Sequence, residues 1–222
     1  MTSRWQAQKS EVAETARRMA EQALLPSAAG NISVRLKPQG GRELMAITPL
    51  GRQNASLTED DVVVVYFDVE PVEGALAPSS ESLLHVGIYR ARADVGAVIH
   101  SHSQFASVAA VAGTRIPPIV DEMVVAIGGA VEVSEYAFPG TQELADSVCR
   151  ALGERNAALI GNHGAVCVGR DLDEATDVCA LTERIAQVFV QASLLGGVSE
   201  LPREAVEAER AIFRMRRGAD RA

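Results

Sequence analysis

The chain is poor in cysteine, has no excess of basic residues and contains no long apolar run. Each shortage removes a class of protein. Cys149, Cys167 and Cys179 form no C-x-x-C pair and leave an odd thiol under any pairing, which argues against a disulfide framework and suits a reducing compartment. They read as buried fillers. The net charge is −8, so the chain lacks the basic face that an electrostatic nucleic-acid binder needs, while a local pocket for a phosphate stays compatible with it. No apolar run reaches bilayer length, and "MTSRWQAQKSEVAETARRMA" lacks the apolar centre of a signal peptide. The expectation is a cytoplasmic protein with neither nucleic-acid nor membrane partner. No G-x-G-x-x-G follows the first strand, so nothing supports dinucleotide binding, and no internal repeat occurs at the usual periods.

What is present fits a globular protein. With 222 residues, 47% hydrophobic and 23% charged, a single domain spanning 1–222 has enough chain for a full core. Apolar residues at Val12, Ala16, Met19, Ala20 and Leu24 share one helix face, with Ser10 placed to cap it. "NISVRL" and "ELMAITP" flank "KPQGG" as a hairpin, and "VVVVYF" is a continuous apolar strand. From Ser80 a helical period (Leu84, Ile88, Ala91) precedes the strand "VGAVIH"; helices follow from about Gln104 and over "TQELADSVCRAL". "AALI" and "AVCVG" form a second hairpin around "GNHG". Asp171 with Glu174 opens a long helix, and a shorter one follows Pro202. Hairpins mixed with helices predict a layered α/β or α+β fold with a mixed sheet covered on both faces.

Chemistry concentrates at element ends. In an extended "VIHSH", residues i and i+2 project to one side, so His100 and His102 share a face and can chelate a cation or simply close a strand. His163, between the glycines of "GNHG", is presented on a turn, as a third ligand or an ordinary loop residue. Ser79, Ser80 and Glu81 occupy a first helical turn, where free N–H groups and the helix dipole favour an anion; a plain N-cap explains them equally. His85, one turn beyond Glu81, is a fourth ligand, a group orienting Glu81 or a packed helix residue, the last two preferred. Gly30, Asn31 and Thr48 sit at joints beside strands, suited to holding a phosphate or to plain turns.

Taken together, "AAGNISVRL", "ITPLG", "PSSESLLHVGIYRARADVGAVIHSHS" and "GNHGAVCVG" resemble, in order and spacing, the class II aldolase and adducin-head family, from about Ala29 to near Phe189. The resemblance implies an α/β fold of three layers (α/β/α), with a mixed, largely antiparallel central sheet and helices on both faces. It implies a homotetramer with active sites at subunit interfaces. It assigns His100, His102 and His163 as ligands of Zn2+ or another divalent cation, and Glu81 as ligand and general acid/base. Gly30, Asn31, Gly51, Ser79 and Ser80 would hold a substrate phosphate. The implied reaction is cleavage of a ketose 1-phosphate, of the fuculose-phosphate type, to dihydroxyacetone phosphate and an aldehyde through a metal-stabilised enediolate.

Three positions depart from the family's fuculose-phosphate aldolases. Leu50 replaces a hydroxyl residue before Gly51, leaving only backbone there for a phosphate. Asp121 and Glu122 stand where a catalytic tyrosine is expected, so a carboxylate would need a raised pKa to donate a proton. The tail "FRMRRGADRA" has no tyrosine; Arg214, Arg216 and Arg217 cap a neighbour's anionic substrate or, preferably, form a solvated basic helix end. The alternatives are a decarboxylase, dehydratase or epimerase on the same metal site, with Glu81 against the epimerases, which typically carry aspartate there. A noncatalytic adducin-like oligomerisation module ranks below any of these, because such heads would be expected to lack the histidines.

Overall fold

A computed structural model describes residues 3–219 of the chain. The elements in order are α1 (Gln6–Glu21), β1 (Asn31–Gln39), β2 (Arg42–Ile47), β3 (Val63–Tyr66), β4 (Pro71–Glu73), α2 (Ser82–Ala91), β5 (Ala97–Ser101), α3 (Gln104–Val111), α4 (Asp121–Ile127), α5 (Gln142–Leu152), β6 (Ala157–Ile160), β7 (Gly164–Gly169), α6 (Leu172–Leu194) and α7 (Arg203–Ala219). The strands form one sheet in the order β4-β3-β2-β1-β5-β7-β6. Every strand pairing is antiparallel. Among the described residues the parallel component of the expected mixed sheet is one isolated bridge, Val133–Leu159.

The three layers follow from what the strands present to each side. Side chains alternate across a strand, and here both faces are apolar, which is why "VVVVYF" and "AVCVG" read as continuous runs. Leu44, Ala46, Val64, Ile99, Ala165 and Cys167 face one core with α1, α3, α4 and α6. Met45, Ile47, Val65, Val98, Val166 and Val168 face the other with α2 and α5. β1 breaks the pattern: Ile32, Val34 and Leu36 join the first core, but Asn31 and Ser33 are buried polar residues on the alternate face.

Several local expectations shift. Helix α1 begins at Gln6, so Ser10 lies inside it and donates to Glu14 Oε1 at 3.1 Å instead of capping. Pro38 belongs to β1, at a break in register, and the turn is the pair Gly40-Gly41, both at positive φ (59° and 78°), which matches the twist of a two-residue hairpin. The short β4, with Pro71 exposed and Val72 and Glu73 half-buried, carried no periodic signal. Asp171 caps α6 by accepting from Glu174 N at 2.8 Å; Glu174 reaches back to Arg170 N, one residue beyond the expected partner. Arg217 of α7 donates to Asp94 and to the Glu154 carbonyl, so it is not a free cation of a solvated helix end. The last residues of the tail, 220–222, lie outside the described chain, as do residues 1 and 2.

β5 is the strand that positions the histidines, with β1 and β7 on its two sides. Ile99 is fully buried there. Ile99→Ala is expected to lower stability by about 2–5 kcal/mol, the usual cost of a truncated core side chain, measured by urea unfolding; a loss below about 1 kcal/mol would show that this face of β5 is not close-packed.

Candidate metal centre

Register brings distant segments to one sheet end. Asn31 pairs with His100 across β1 and β5, and His100 pairs with Val166 across β5 and β7. β5 ends at Ser101, so His102 follows the strand, and His163 closes the β6–β7 loop. Two glycines permit that approach. A Cβ at Gly30, whose φ is +74°, would stand 2.5 Å from the His100 carbonyl, and one at Gly164 would stand 2.3 Å from the Ser101 carbonyl. In the β6–β7 loop the left-handed residue is Asn162 (φ 57°), not either glycine. Gly161 and Gly164 are required for close contact rather than for the turn; a Cβ at Gly161 would lie 2.6 Å from the Ser134 carbonyl.

The three rings form a near-equilateral triangle, with centroid separations of 4.8, 4.7 and 4.8 Å and steep interplanar angles. One nitrogen of each lies within 4.8 Å of the others, an arrangement that can hold a metal ion. Nε2 of His100 and His102 are 3.0 Å apart. Two nitrogens each about 2.0–2.1 Å from a tetrahedral zinc stand about 3.3 Å apart, so the donor set fits such an ion. His100 Nδ1–H donates to the Ala165 carbonyl at 3.0 Å, which directs the Nε2 lone pair inward. His163 is half-buried and not simply presented on its turn.

Glu81 completes the cluster from the N-terminus of α2. It is the N-cap residue and Ser79 and Ser80 precede it, so the three stand before the first helical turn, not in it. Its side chain does not cap the helix. Oε2 lies 3.2 Å from His100 Nε2 and accepts from Asn31 Nδ2 at 3.1 Å. Oε1 is 3.7 Å from His163 Nε2 and, although buried, has no hydrogen-bond partner among the described residues. A buried carboxylate oxygen left unsatisfied beside three imidazoles is the position of a cation or a transferable proton.

Electrostatics keep the cluster ready for such a ligand. Burial alone would raise the Glu81 carboxyl, but the His100 hydrogen bond, the charges of His100 and His163 and the Asn31 amide bring it down to about 2. Burial and then the neighbouring His100 and His163 push His102 down to about 4, and burial followed by His100 lowers His163. The lowering of His102 and His163 favours their neutral forms, in which an imidazole can ligate a metal.

The other expected residues divide into two groups. Ser79 N donates to the Thr48 carbonyl and Leu50 N to the Ala77 carbonyl, so "ITPLG" and "APSSE" lie side by side near Glu81. Gly51 and Ser80 are exposed, and Ser79 is buried, its Oγ accepting from Glu81 N at 3.2 Å. Asn31 is buried too, and its amide is already engaged by Glu81 and His85. Asp121 and Glu122 are elsewhere. Glu122 pairs with Arg184 of α6 at 2.5 Å, and Asp121 lies beside Glu209 of α7, whose carboxyl is raised by burial and by Asp121, so within one chain they do not join the histidines.

Sequence reading missed Ser33 and Tyr89. Both belong to a polar seam in which Asn31, Ser33 and Arg35 alternate along β1 opposite Glu81, His85 and Tyr89 at i, i+4 and i+8 through α2. Four helical residues rise about 6 Å and two strand residues about 6.6–6.8 Å, so the rows stay in step. The signal was present as polar residues recurring at matched periods on two elements. Both ring nitrogens of His85 are hydrogen-bonded within the seam, which rules it out as a fourth ligand.

Two expected outcomes follow. His102→Ala is expected to lose bound metal on dialysis, read by elemental analysis, while remaining folded by circular dichroism; wild-type metal content would contradict the triad. Burial holds His85 down to about 3, against about 6.5 in an unfolded chain. Between those values the unfolded state binds more protons, so this contribution is complete above pH of about 6.5 and is lost as pH falls toward 3. Urea unfolding of the metal-free protein should therefore show declining stability from pH 7.5 to 5, with a shallower decline in His85→Gln; a flat profile in the wild type would contradict it.

Comparison with known proteins places this geometry. The chain is 32% identical over 202 residues to a 5-deoxy-D-ribulose 1-phosphate aldolase of Bacillus thuringiensis serovar kurstaki, covering 91% of this chain and 93% of that protein. It is 34% identical over 194 residues to a 5-methylthioribulose-1-phosphate/5-deoxyribulose-1-phosphate aldolase of Rhodospirillum rubrum, covering 87% and 85%. A solved L-fuculose 1-phosphate aldolase superposes with a TM-score of 0.87 at 33% identity, covering 96% of this chain and 98% of that one. The family model for the class II aldolase and adducin N-terminal domain matches residues 10–190, and the chain belongs to that family.

Proposed function

We propose that the protein is a zinc-dependent aldolase that cleaves a ketose 1-phosphate to dihydroxyacetone phosphate and a short aldehyde. The observation that carries this is Glu81 Oε1, buried and unsatisfied beside three converging imidazoles. Membership of the class II aldolase family supports a metal-dependent lyase. The relatives named above act, by name, on ketose 1-phosphates, which share the dihydroxyacetone phosphate half and differ in the aldehyde half.

His100, His102 and His163 would hold the zinc ion, and Glu81 could join them as a fourth ligand when no substrate is bound. The ion would supply positive charge to the ketose oxygens where negative charge develops. Gly30, Asn31, Gly51, Ser79 and Ser80 would bind the phosphate, with Leu50 contributing backbone alone. Cleavage removes the C4 hydroxyl proton, breaks C3–C4 with the electron pair left on C3, and returns a proton to C3. Glu81 would carry that proton, accepting it at the unpartnered Oε1 and returning it to C3. Asn31 keeps a second amide hydrogen after donating to Glu81, so it can serve the carboxylate and a substrate oxygen together.

A homotetramer with active sites between subunits is part of this proposal. Leu50, Tyr136 and Phe138 are large apolar residues more than half exposed in the single chain, as surfaces that meet a partner are. Asp121 and Glu122 would reach a neighbouring subunit's site only in such an assembly.

The test is a panel of fuculose 1-phosphate and 5-deoxyribulose 1-phosphate, with dihydroxyacetone phosphate measured by a coupled dehydrogenase. Release is expected from at least one substrate, abolished in Glu81→Gln with metal content retained. Loss of water or carbon dioxide from phosphorylated substrates without carbon–carbon cleavage to dihydroxyacetone phosphate would replace the aldolase reading with a dehydratase or decarboxylase.

A further inference from the structure

Behind Glu81 a chain of four hydrogen bonds runs through the core between β1 and α2. Tyr89 Oη to Ser33 Oγ is 2.8 Å, Ser33 Oγ to His85 Nδ1 is 2.6 Å, His85 Nε2 to Asn31 Oδ1 is 2.5 Å, and Asn31 Nδ2 to Glu81 Oε2 is 3.1 Å. All five residues are buried.

One arrangement of protons satisfies every link. An ionised carboxylate only accepts, so Asn31 must turn its amide nitrogen to Glu81 and its carbonyl to His85. His85 Nε2 must then carry the hydrogen. A neutral imidazole with a hydrogen on Nε2 has a bare Nδ1, so the Ser33 hydroxyl donates to it, and Ser33 Oγ in turn accepts from the Tyr89 hydroxyl. Reversing any link points two donors or two acceptors at each other inside the core, which costs about 1–3 kcal/mol for each unsatisfied group. The direction of the chain is thus fixed by burial and by the charge at its end.

We propose that His85 is a positioning residue: its Nε2–H, held by Ser33 and Tyr89, orients the Asn31 amide so that Asn31 clamps Oε2 of Glu81 and leaves Oε1, the carboxylate oxygen with no hydrogen-bond partner among the described residues, to serve the metal and the substrate. The proposal rests on the reading of Glu81 as proton carrier, and it gives Asn31 a first duty toward the carboxylate rather than toward phosphate. The seam explains why a histidine, rather than an apolar residue, fills this helix position inside the core.

The experiment has two arms on the full-length, zinc-loaded protein. With 15N-labelled histidine, long-range 1H–15N correlation should show His85, assigned from the spectrum of His85→Gln, as the Nε2–H tautomer at pH 7. In kinetics, His85→Met should lower kcat by about 10–100-fold with KM and metal content near wild type, and His85→Gln, which keeps an N–H toward Asn31, should recover most of the loss. An Nδ1–H tautomer, wild-type kcat in His85→Met, or equal loss in both variants would overturn the proposal. Absence of turnover in the wild type would count against the aldolase reading alone, because the tautomer is read without substrate. If His85→Met does not fold, a Ser33→Ala variant that keeps the His85 tautomer and wild-type kcat would overturn it equally.

Discussion

The structure turns on keeping one buried carboxylate ionised at the end of an apolar sheet. Desolvating Glu81 disfavours its charge, and only the imidazoles of His100 and His163 and the Asn31 amide reverse that penalty. Each partner comes from a different element: Asn31 from β1, Glu81 from the start of α2, His100 from β5, and His163 from the β6–β7 loop. The sheet order places β1, β5 and β7 side by side, so the antiparallel register itself assembles the cluster. Gly30 and Gly164 let two backbones come close enough to the His100 and Ser101 carbonyls for that register to hold.

This arrangement assigns distinct tasks to the two sides of the carboxylate. Oε2 lies 3.2 Å from His100 Nε2 and accepts from Asn31, behind which hydrogen bonds lead through His85 to Tyr89, while Oε1, 3.7 Å from His163 Nε2, has no hydrogen-bond partner among the described residues. A rigid side and a reactive side on one group reconcile positioning with proton transfer, since a catalytic group must be held without having its lone pairs consumed. Next to Glu81, "ITPLG" and "APSSE" are joined by backbone bonds from Ser79 N to the Thr48 carbonyl and from Leu50 N to the Ala77 carbonyl. A solved L-fuculose 1-phosphate aldolase carries the same fold around a comparable length of chain.

The fold was legible where periodicity was strong. The Leu84–Ile88 helix face, the apolar β3 run and the "AALI–AVCVG" hairpin all formed as their patterns predict. Boundaries decided by competing local contacts were not legible: Ser10 is overtaken by an earlier helix start, and Pro38 is absorbed by a bulged strand. The histidines and Glu81 were readable from motif order, because each sits at an element end. The roles of Asn31, Ser33 and Tyr89 were not, since their partners lie 50 or more residues away in sequence. Asp121 and Glu122 stand apart from the cluster within one chain. Position along the chain suggested the site, but α4 turns them toward Arg184 and Glu209.

The central claim is that three imidazoles and Glu81 Oε1 surround one cation. Anomalous diffraction from crystals of the zinc-loaded protein, collected on both sides of the zinc absorption edge, tests it most directly. The account predicts one strong anomalous peak per chain within coordination distance of Nε2 of His100, His102 and His163, on the Oε1 side of Glu81. A peak at a different cluster of side chains, or no peak in protein that elemental analysis shows to be loaded, would contradict it.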